Sequence, residues 1–262
     1  CDRECHVVNY EVAGPVVHAG LLVNLITTEY GMIPAETVRQ SIRPKNLHCP
    51  LTKMVALENT HNRHGGTILP QEEILKVRQV CDEFGLVLHL DGARIWNAHV
   101  ATGISLPELT APFDSVSVCL SKGLGAPIGS LILGSGEFIE RCRRERKLFG
   151  GGMRQVGIIA AAGLYAIKNN IARLADDHTN ARLLAEGLDR LPWFKVELNR
   201  VQTNIIVANV ASGYSAESVL EKMKKNGVLA VPFGPTKLRF VTHLDVTRDD
   251  CVEALKRIES II

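Results

Sequence analysis

The chain has 262 residues, 46% of them apolar, which is enough to fill the core of one large domain and a smaller one. Thirty basic residues against 28 acidic residues leave a formal net charge of +2, so binding to nucleic acid or to a membrane surface is not expected. The seven cysteines contain no C-x-x-C pair, and no signal peptide or run of about 18 apolar residues is found. The sequence therefore predicts a globular protein without a metal site in a reducing compartment, the cytoplasm or alternatively the mitochondrion.

Apolar runs of strand length alternate with helix-period segments along the first half of the chain. In order, the predicted elements are a strand over Leu21–Ile26, a helix from Pro34 to about Arg43, a strand over Met54–Leu57, a helix over Pro70–Phe84, strands that end at Asp91 and near Leu120, and a strand over Gly129–Gly134. This rhythm is typical of βαβ units and predicts a mostly parallel sheet covered by helices.

The pattern changes after the three glycines Gly150–Gly152. The predicted elements are then helices over Gln155–Ile167 and Ala172–Leu191, a strand over Thr203–Val207, a helix over Ser215–Lys225, a strand over Leu238–Thr242 and a helix over Thr247–Ile262, which begins at a capping sequence. These elements predict a large domain over residues 1–165 and a smaller α+β domain over residues 166–262.

Two reactive side chains follow neighbouring strands of the predicted sheet. Asp91 closes the apolar run Leu86–Leu90, and Lys122 follows the run Ser115–Ser121. Pyridoxal phosphate needs a lysine amine to hold its aldehyde and a carboxylate to keep its pyridine nitrogen protonated. Ligands of parallel sheets gather at the carboxyl ends of strands, where Asp91, Lys122 and also His61 fall. The alternative is that Asp91 caps the next helix and that Lys122 is a solvated loop residue.

Several segments resemble the low-specificity L-threonine aldolases, which are fold-type I pyridoxal-phosphate enzymes. The similar segments are Leu57–Asn62, Leu88–Ala98, Leu120–Ser130, Gly150–Gln155, Thr203–Asn204 and Leu238–Asp245. The resemblance implies an aspartate-aminotransferase-like α/β fold, with a mostly parallel large domain and a smaller C-terminal domain. The family carries a further N-terminal segment whose small-residue loop binds the cofactor phosphate, and nothing in this sequence corresponds to it. We therefore expect a large domain that is incomplete at its N-terminus.

The resemblance also implies roles for single residues. It places the covalent link to pyridoxal 5'-phosphate at Lys122, the partner of the pyridine nitrogen at Asp91 and a phosphate contact at Arg154. It places His6, with Glu11 nearby, against the cofactor ring. Further implied roles are a base at His61, acting on the substrate hydroxyl directly or through water, and a clamp for the substrate carboxylate at Arg94 and Arg239, of which Arg94 also borders the cofactor.

The function that the resemblance implies is retro-aldol cleavage of L-threonine or L-allo-threonine to glycine and acetaldehyde, by a homodimer or homotetramer. Two alternatives remain open. In the first alternative, the chain is a shortened, inactive subunit. In the second, it is another fold-type I enzyme that catalyses transamination or β-elimination. The expected partners are an amino-acid substrate and other copies of the chain.

Overall fold

A computed structural model of the chain describes residues 1–261. The chain divides into two compact units. The first unit consists of Cys1–Arg63 and Ile68–Ile171, and the second consists of His64–Thr67 together with the residues from Ala172 onward. The sequence pattern placed the division between residues 165 and 166, and no local pattern marks residues 64–67 as part of the second unit.

The first unit contains a four-stranded sheet. Its strands lie in the order β1 (Met54–Glu58), β2 (Val87–Asp91), β3 (Ser115–Cys119) and β4 (Ser130–Gly134). The first three strands are parallel, and β4 is antiparallel to β3. The link between β3 and β4 is too short for the crossover that a parallel neighbour requires, so β4 returns in the opposite direction. The predicted mostly parallel sheet is confirmed.

Helices flank this sheet, and they bury apolar stripes in the core of the first unit. In α4 (Gln71–Phe84), Ile74, Val77 and Cys81 are fully buried at helical spacing, and each buried aliphatic side chain of this kind contributes roughly 1.5–3 kcal/mol. The other helices of the unit are α1 (His6–Asn9), α2 (Gly14–Ala19), α3 (Ala35–Ser41), α5 (Ile95–Thr102), α6 (Leu106–Thr110), α7 (Gly136–Leu148) and α8 (Gly157–Asn169).

The predicted strand over Leu21–Ile26 is wrong. Ile26 makes a single parallel bridge with Asp2, and the rest of the run has no regular structure. Leu22 is 73% exposed. A strand needs a neighbouring strand to satisfy its backbone groups, and within residues 1–261 the run meets one only at Ile26.

The second unit is an antiparallel α+β arrangement, as predicted. Its sheet has the order β5 (Phe194–Val196), β6 (Ile205–Val210), β8 (Lys237–Val241) and β7 (Val231–Pro232). The helices are α9 (Leu174–Asp189), α10 (Ala216–Lys225) and α11 (Arg248–Glu259). Strands β5 and β7 were not predicted from the sequence. They have only three and two residues, which is too few to show an alternation of apolar and polar side chains. Among residues 1–261, no helix is long and apolar enough to cross a membrane.

Candidate active site

The carboxyl ends of β1, β2 and β3 meet at one edge of the first sheet, because the three strands are parallel. Asp91 is the last residue of β2 and is paired in register with Glu58 on one side and Ser117 on the other. The backbone N–H of Asn59 donates to the carbonyl of Asp91 at 2.9 Å, which extends the pairing of β1 and β2 past their ends. The position of Asp91 is thus fixed by both neighbouring strands.

The carboxylate of Asp91 is half-buried at the start of the loop that leads to α5. Its Oδ1 accepts a hydrogen bond from the Ala93 N–H at 3.1 Å. The next residue, Gly92, lies directly against β3, since a Cβ atom there would come within 2.9 Å of the Ser117 carbonyl oxygen. A glycine at this position therefore lets the backbone after Asp91 pack closely against β3.

Lys122 lies three residues beyond the end of β3, in the loop that joins β3 to β4. Two backbone hydrogen bonds hold this loop in a tight turn, from Leu120 N–H to Gly129 and from Ala126 N–H to Leu120, at 2.9 and 3.0 Å. The Lys122 side chain is half-buried, and nothing among the described residues pairs with its amine. The amine therefore stands at the same sheet edge as Asp91 without a carboxylate to neutralise it.

A buried carboxylate at the end of β1 fixes the segment that carries His6. The side chain of Glu58 is 4% exposed. Its Oε2 accepts the backbone N–H of His6 at 2.6 Å, and its Oε1 accepts the N–H of Asn62 at 2.9 Å. Glu58 therefore links α1 to the loop that follows β1 and places His6 next to the strand pair that ends in Asp91. Glu58 had no predicted role, although an acid at the end of an apolar strand is a sequence feature that could have marked it.

The imidazole of His6 is half-buried. Its Nε2 lies 2.8 Å from Oε1 of Glu11, and its ring is stacked on Tyr10 with a centroid distance of 4.7 Å. Glu11, the glutamate that the family resemblance singled out in this segment, is thus in direct contact with His6. The predicted role of His6 against a cofactor ring stays a prediction.

His61 follows β1 by three residues, and its side chain is fully buried. Its Nε2 lies 3.3 Å from Oδ1 of Asp2, 3.8 Å from Sγ of Cys5 and 4.0 Å from Oε2 of Glu58. Burial and the nearby charges of Glu58 and Asp2 raise the pKa of the Cys5 thiol far above its usual range. None of these contacts was predicted from the sequence, because Asp2 and His61 are 59 residues apart.

The three predicted arginines lie in different places. Arg94 is half-buried at the N-cap of α5, three residues after Asp91. Arg154 is exposed in the segment between α7 and α8. Arg239 lies on β8 of the second unit, where its guanidinium stands 5.1 Å from the centre of the Phe233 ring. The structure thus places Arg94 at the sheet edge with Asp91, and the roles of all three arginines stay predictions.

Asp2, Cys5 and His61 also have the spacing of a metal site, although no metal was expected from the sequence. One ligand atom of each lies within 4.8 Å of the others, and all three residues are buried.

Known proteins similar to this chain agree with the architecture. A solved threonine aldolase of Leishmania major superposes with a TM-score of 0.82 at 18% identity, covering 99% of this chain and 76% of that one, which is a likeness of fold. "Low-specificity L-threonine aldolase 1" of Arabidopsis thaliana is 39% identical over 94% of this chain and 70% of its own length. "Low specificity L-threonine aldolase" of Escherichia coli strain K12 is 45% identical over 85% of this chain and 64% of its own length.

The model of the beta-eliminating lyase family matches residues 1–211, well over half of the chain. The matched region includes the sheet edge with Asp91, Lys122 and His61. The chain therefore belongs to the beta-eliminating lyase family.

Proposed function

We propose that the chain is a pyridoxal-phosphate-dependent aldolase that cleaves L-threonine or L-allo-threonine into glycine and acetaldehyde. The observation that carries this proposal is the pair formed by Asp91 and Lys122, a carboxylate and an unpaired amine at the ends of adjacent parallel strands. The names of the two relatives at 39% and 45% identity support the choice of reaction.

The residues at the sheet edge fit pyridoxal phosphate. The cofactor requires one amine that is not committed to an ion pair and one carboxylate near its pyridine nitrogen, and Lys122 and Asp91 supply these groups. The glycine at position 92 lets the residue after Asp91 pack against the backbone of β3, where a Cβ atom would come within 2.9 Å of the Ser117 carbonyl oxygen. When bound, the cofactor supplies a sink for the electron pair that the broken Cα–Cβ bond leaves behind.

The residues of the chain would then divide the work. Lys122 would hold the cofactor covalently through its amine. The carboxylate of Asp91 keeps a proton on the pyridine nitrogen. Arg94 holds the substrate carboxylate, because a guanidinium forms two parallel hydrogen bonds with that group. Arg239 is assigned to the same group and Arg154 to the cofactor phosphate, both from the family resemblance.

The two histidines have separate roles in this proposal. His6 presents a flat ring for stacking against the cofactor, and the bond of its backbone to Glu58 fixes its segment. His61 accepts the proton of the substrate hydroxyl, directly or through an ordered water. Because the His61 side chain is fully buried, only a substrate bound inside the site could exchange a proton with it.

The proposal is tested by adding pyridoxal phosphate to the purified chain and measuring its absorbance spectrum and its turnover of both threonine isomers. We expect a protein-bound cofactor band that borohydride reduction fixes to Lys122, and equal amounts of glycine and acetaldehyde. Lys122→Ala should lose the covalent band, and Asp91→Asn should lower turnover by several orders of magnitude because a neutral amide does not hold the pyridine proton.

Asp114→Asn is the matched control. Asp114 also lies in the first unit and accepts hydrogen bonds from Leu88 N–H and from Arg78, at 2.7 and 2.8 Å, but it precedes β3 at the opposite end of the strand from Lys122. This variant should keep the cofactor band and the turnover. Formation of pyruvate or another oxo acid in place of glycine would favour β-elimination or transamination, and a chain that binds cofactor without turnover would favour an inactive subunit.

A further inference from the structure

Asp2 is a fully enclosed carboxylate that receives hydrogen bonds from two segments of the chain. It is 1% exposed. Its Oδ1 accepts the N–H of Glu4 at 2.8 Å, and its Oδ2 accepts both the N–H and the hydroxyl of Thr28, at 3.2 and 2.7 Å. Hydrogen bonds from several donors stabilise the ionised form of a buried carboxylate. The carboxylate of Asp2 is therefore fixed in place from two sides.

The hydroxyl of Thr28 extends this network to Gly31. It donates to Asp2 and accepts the backbone N–H of Gly31 at 2.8 Å. Gly31 in turn lies flat against the ring of His61, since a Cβ atom on Gly31 would come within 2.5 Å of Cδ2. The same short segment thus holds both the carboxylate and the ring plane of His61.

Asp2, Cys5 and Glu58 all lie near Nε2 of His61, and of these three Asp2 is the most suitable acceptor. Oε2 of Glu58 is 4.0 Å away, which is too far for a hydrogen bond. Cys5 is 3.8 Å away, and its raised pKa keeps the sulfur a neutral thiol, which is a weak acceptor. Asp2, at 3.3 Å, is the closest of the three, and a carboxylate oxygen is a stronger acceptor than a thiol.

We propose that Asp2 is a positioning residue that keeps the proton of His61 on Nε2 and so leaves Nδ1 as the basic nitrogen of the ring. A carboxylate that accepts from one imidazole nitrogen fixes the tautomer and orientation of the ring. This inference rests on the proposed function only in making Nδ1 the atom that receives the substrate proton. The fixed tautomer itself is a property of the protein without substrate or cofactor.

The first test is nuclear magnetic resonance of the chain labelled with ¹⁵N-histidine, which distinguishes the two tautomers from the shifts of the ring nitrogens. The His61 signals are assigned by their loss in His61→Gln. In the wild-type chain we expect a proton on Nε2 and none on Nδ1 at neutral pH. A proton found on Nδ1 would overturn the proposal.

The second test compares Asp2→Asn with two controls. An asparagine of the same shape can donate from its amide to Nε2, so the proton of His61 should shift toward Nδ1. The turnover number kcat for threonine should fall about 100-fold, with KM little changed, because an oriented base acts mainly in the transition state. Cys5→Ser and Asp114→Asn should keep the Nε2 tautomer, and an Asp2→Asn chain with an unchanged tautomer would refute the positioning role.

Two further outcomes separate this inference from its competitors. Zn²⁺ is titrated into the wild-type chain, with Asp2→Asn and Cys5→Ser as comparisons. One tightly bound zinc that both variants lose would show that Asp2, Cys5 and His61 form a metal site, and it would overturn the proposed contact between Asp2 and the Nε2 proton of His61. A wild-type chain that turns over no threonine would sink the proposed function, whereas the tautomer in wild type and in Asp2→Asn would still decide the role of Asp2.

Discussion

Gly31 shows how a single residue fixes a side chain of the candidate site. Its φ angle is +88°, in the left-handed region that favours glycine, and a Cβ atom there would come within 2.5 Å of the His61 ring. Any larger residue at this position would have a strained backbone and would also collide with the His61 ring. The position of His61 therefore depends on the absence of a side chain 30 residues earlier.

Replacement of Gly31 by alanine should destabilise the protein by about 2–4 kcal/mol, the sum of left-handed strain and overpacking. The measurement is the free energy of unfolding in urea. Gly103→Ala is the matched control, because Gly103 has a φ of +72° and nothing lies within 4 Å of a Cβ atom there. It should cost about 1–2 kcal/mol. Equal losses in the two variants would mean that the His61 ring moves away without cost.

The residues of the candidate site differ in how far the sequence could reveal them. Asp91 and Lys122 were found because each ends an apolar run, so that a local pattern marks both. Asp2 and Glu58 were not assigned, because their roles come from contacts with Thr28, His6 and His61, which are distant in sequence. The reactive side chains at strand ends could be predicted from the sequence. The buried acids that support them could not, because their contacts depend on how distant segments pack.

At the scale of elements, helix α9 carries a titratable group in its buried side. Burial lowers the pKa of His178 from 6.5 to about 4. Above pH 6.5 the ring is neutral in both the folded and the unfolded chain. Between pH 6.5 and 4 the unfolded chain binds a proton that the folded chain does not, so stability falls as the pH falls.

The free energy of unfolding should therefore decrease from pH 7.5 to pH 5 by about 2 kcal/mol more in the wild-type chain than in His178→Gln. Urea unfolding of both chains at the two pH values measures this difference directly. The comparison removes the contribution of the other titrating groups. Parallel losses in the two chains would show that His178 is protonated as readily in the folded state as in the unfolded state.

Helix α11 begins with a capping box, as its sequence predicted. Oγ1 of Thr247 accepts the Asp250 N–H at 3.1 Å, and the Asp250 carboxylate accepts the Thr247 N–H at 2.9 Å. Thr247→Ala should lower the free energy of unfolding by about 1 kcal/mol. Thr247→Ser should lower it much less, since serine retains the hydroxyl. Thermal and urea unfolding would check this, and a neutral alanine variant would contradict the role of the cap.

At the scale of the whole molecule, the first unit exposes apolar side chains on regular elements. Every residue of β4 is exposed, including Leu131 and Leu133, and Ile158 on α8 is 87% exposed. Large apolar patches of this kind mark association surfaces more often than free surfaces. This observation supports the predicted association of the chain with copies of itself.

Sedimentation velocity of the purified chain should give a mass of two or four times 28.7 kDa. Substitution of Leu131 and Leu133 by serine should shift the distribution toward the monomer, because the buried apolar area of the interface would shrink. Glu137→Gln, a surface change on the neighbouring helix α7, is the control. A wild-type chain that sediments as a monomer at all concentrations would contradict the prediction.

The sequence by itself determined the rhythm of strands and helices, the mostly parallel sheet, and the presence of an acid and an amine at two strand ends. These features follow from local periodicity, which each segment carries alone. The tertiary structure alone decided that Leu21–Ile26 is not a strand, that residues 64–67 belong to the second unit, and that Asp2, Thr28 and Gly31 surround His61. Such outcomes depend on which distant segments meet, since burial and hydrogen bonding between them are set by the whole fold.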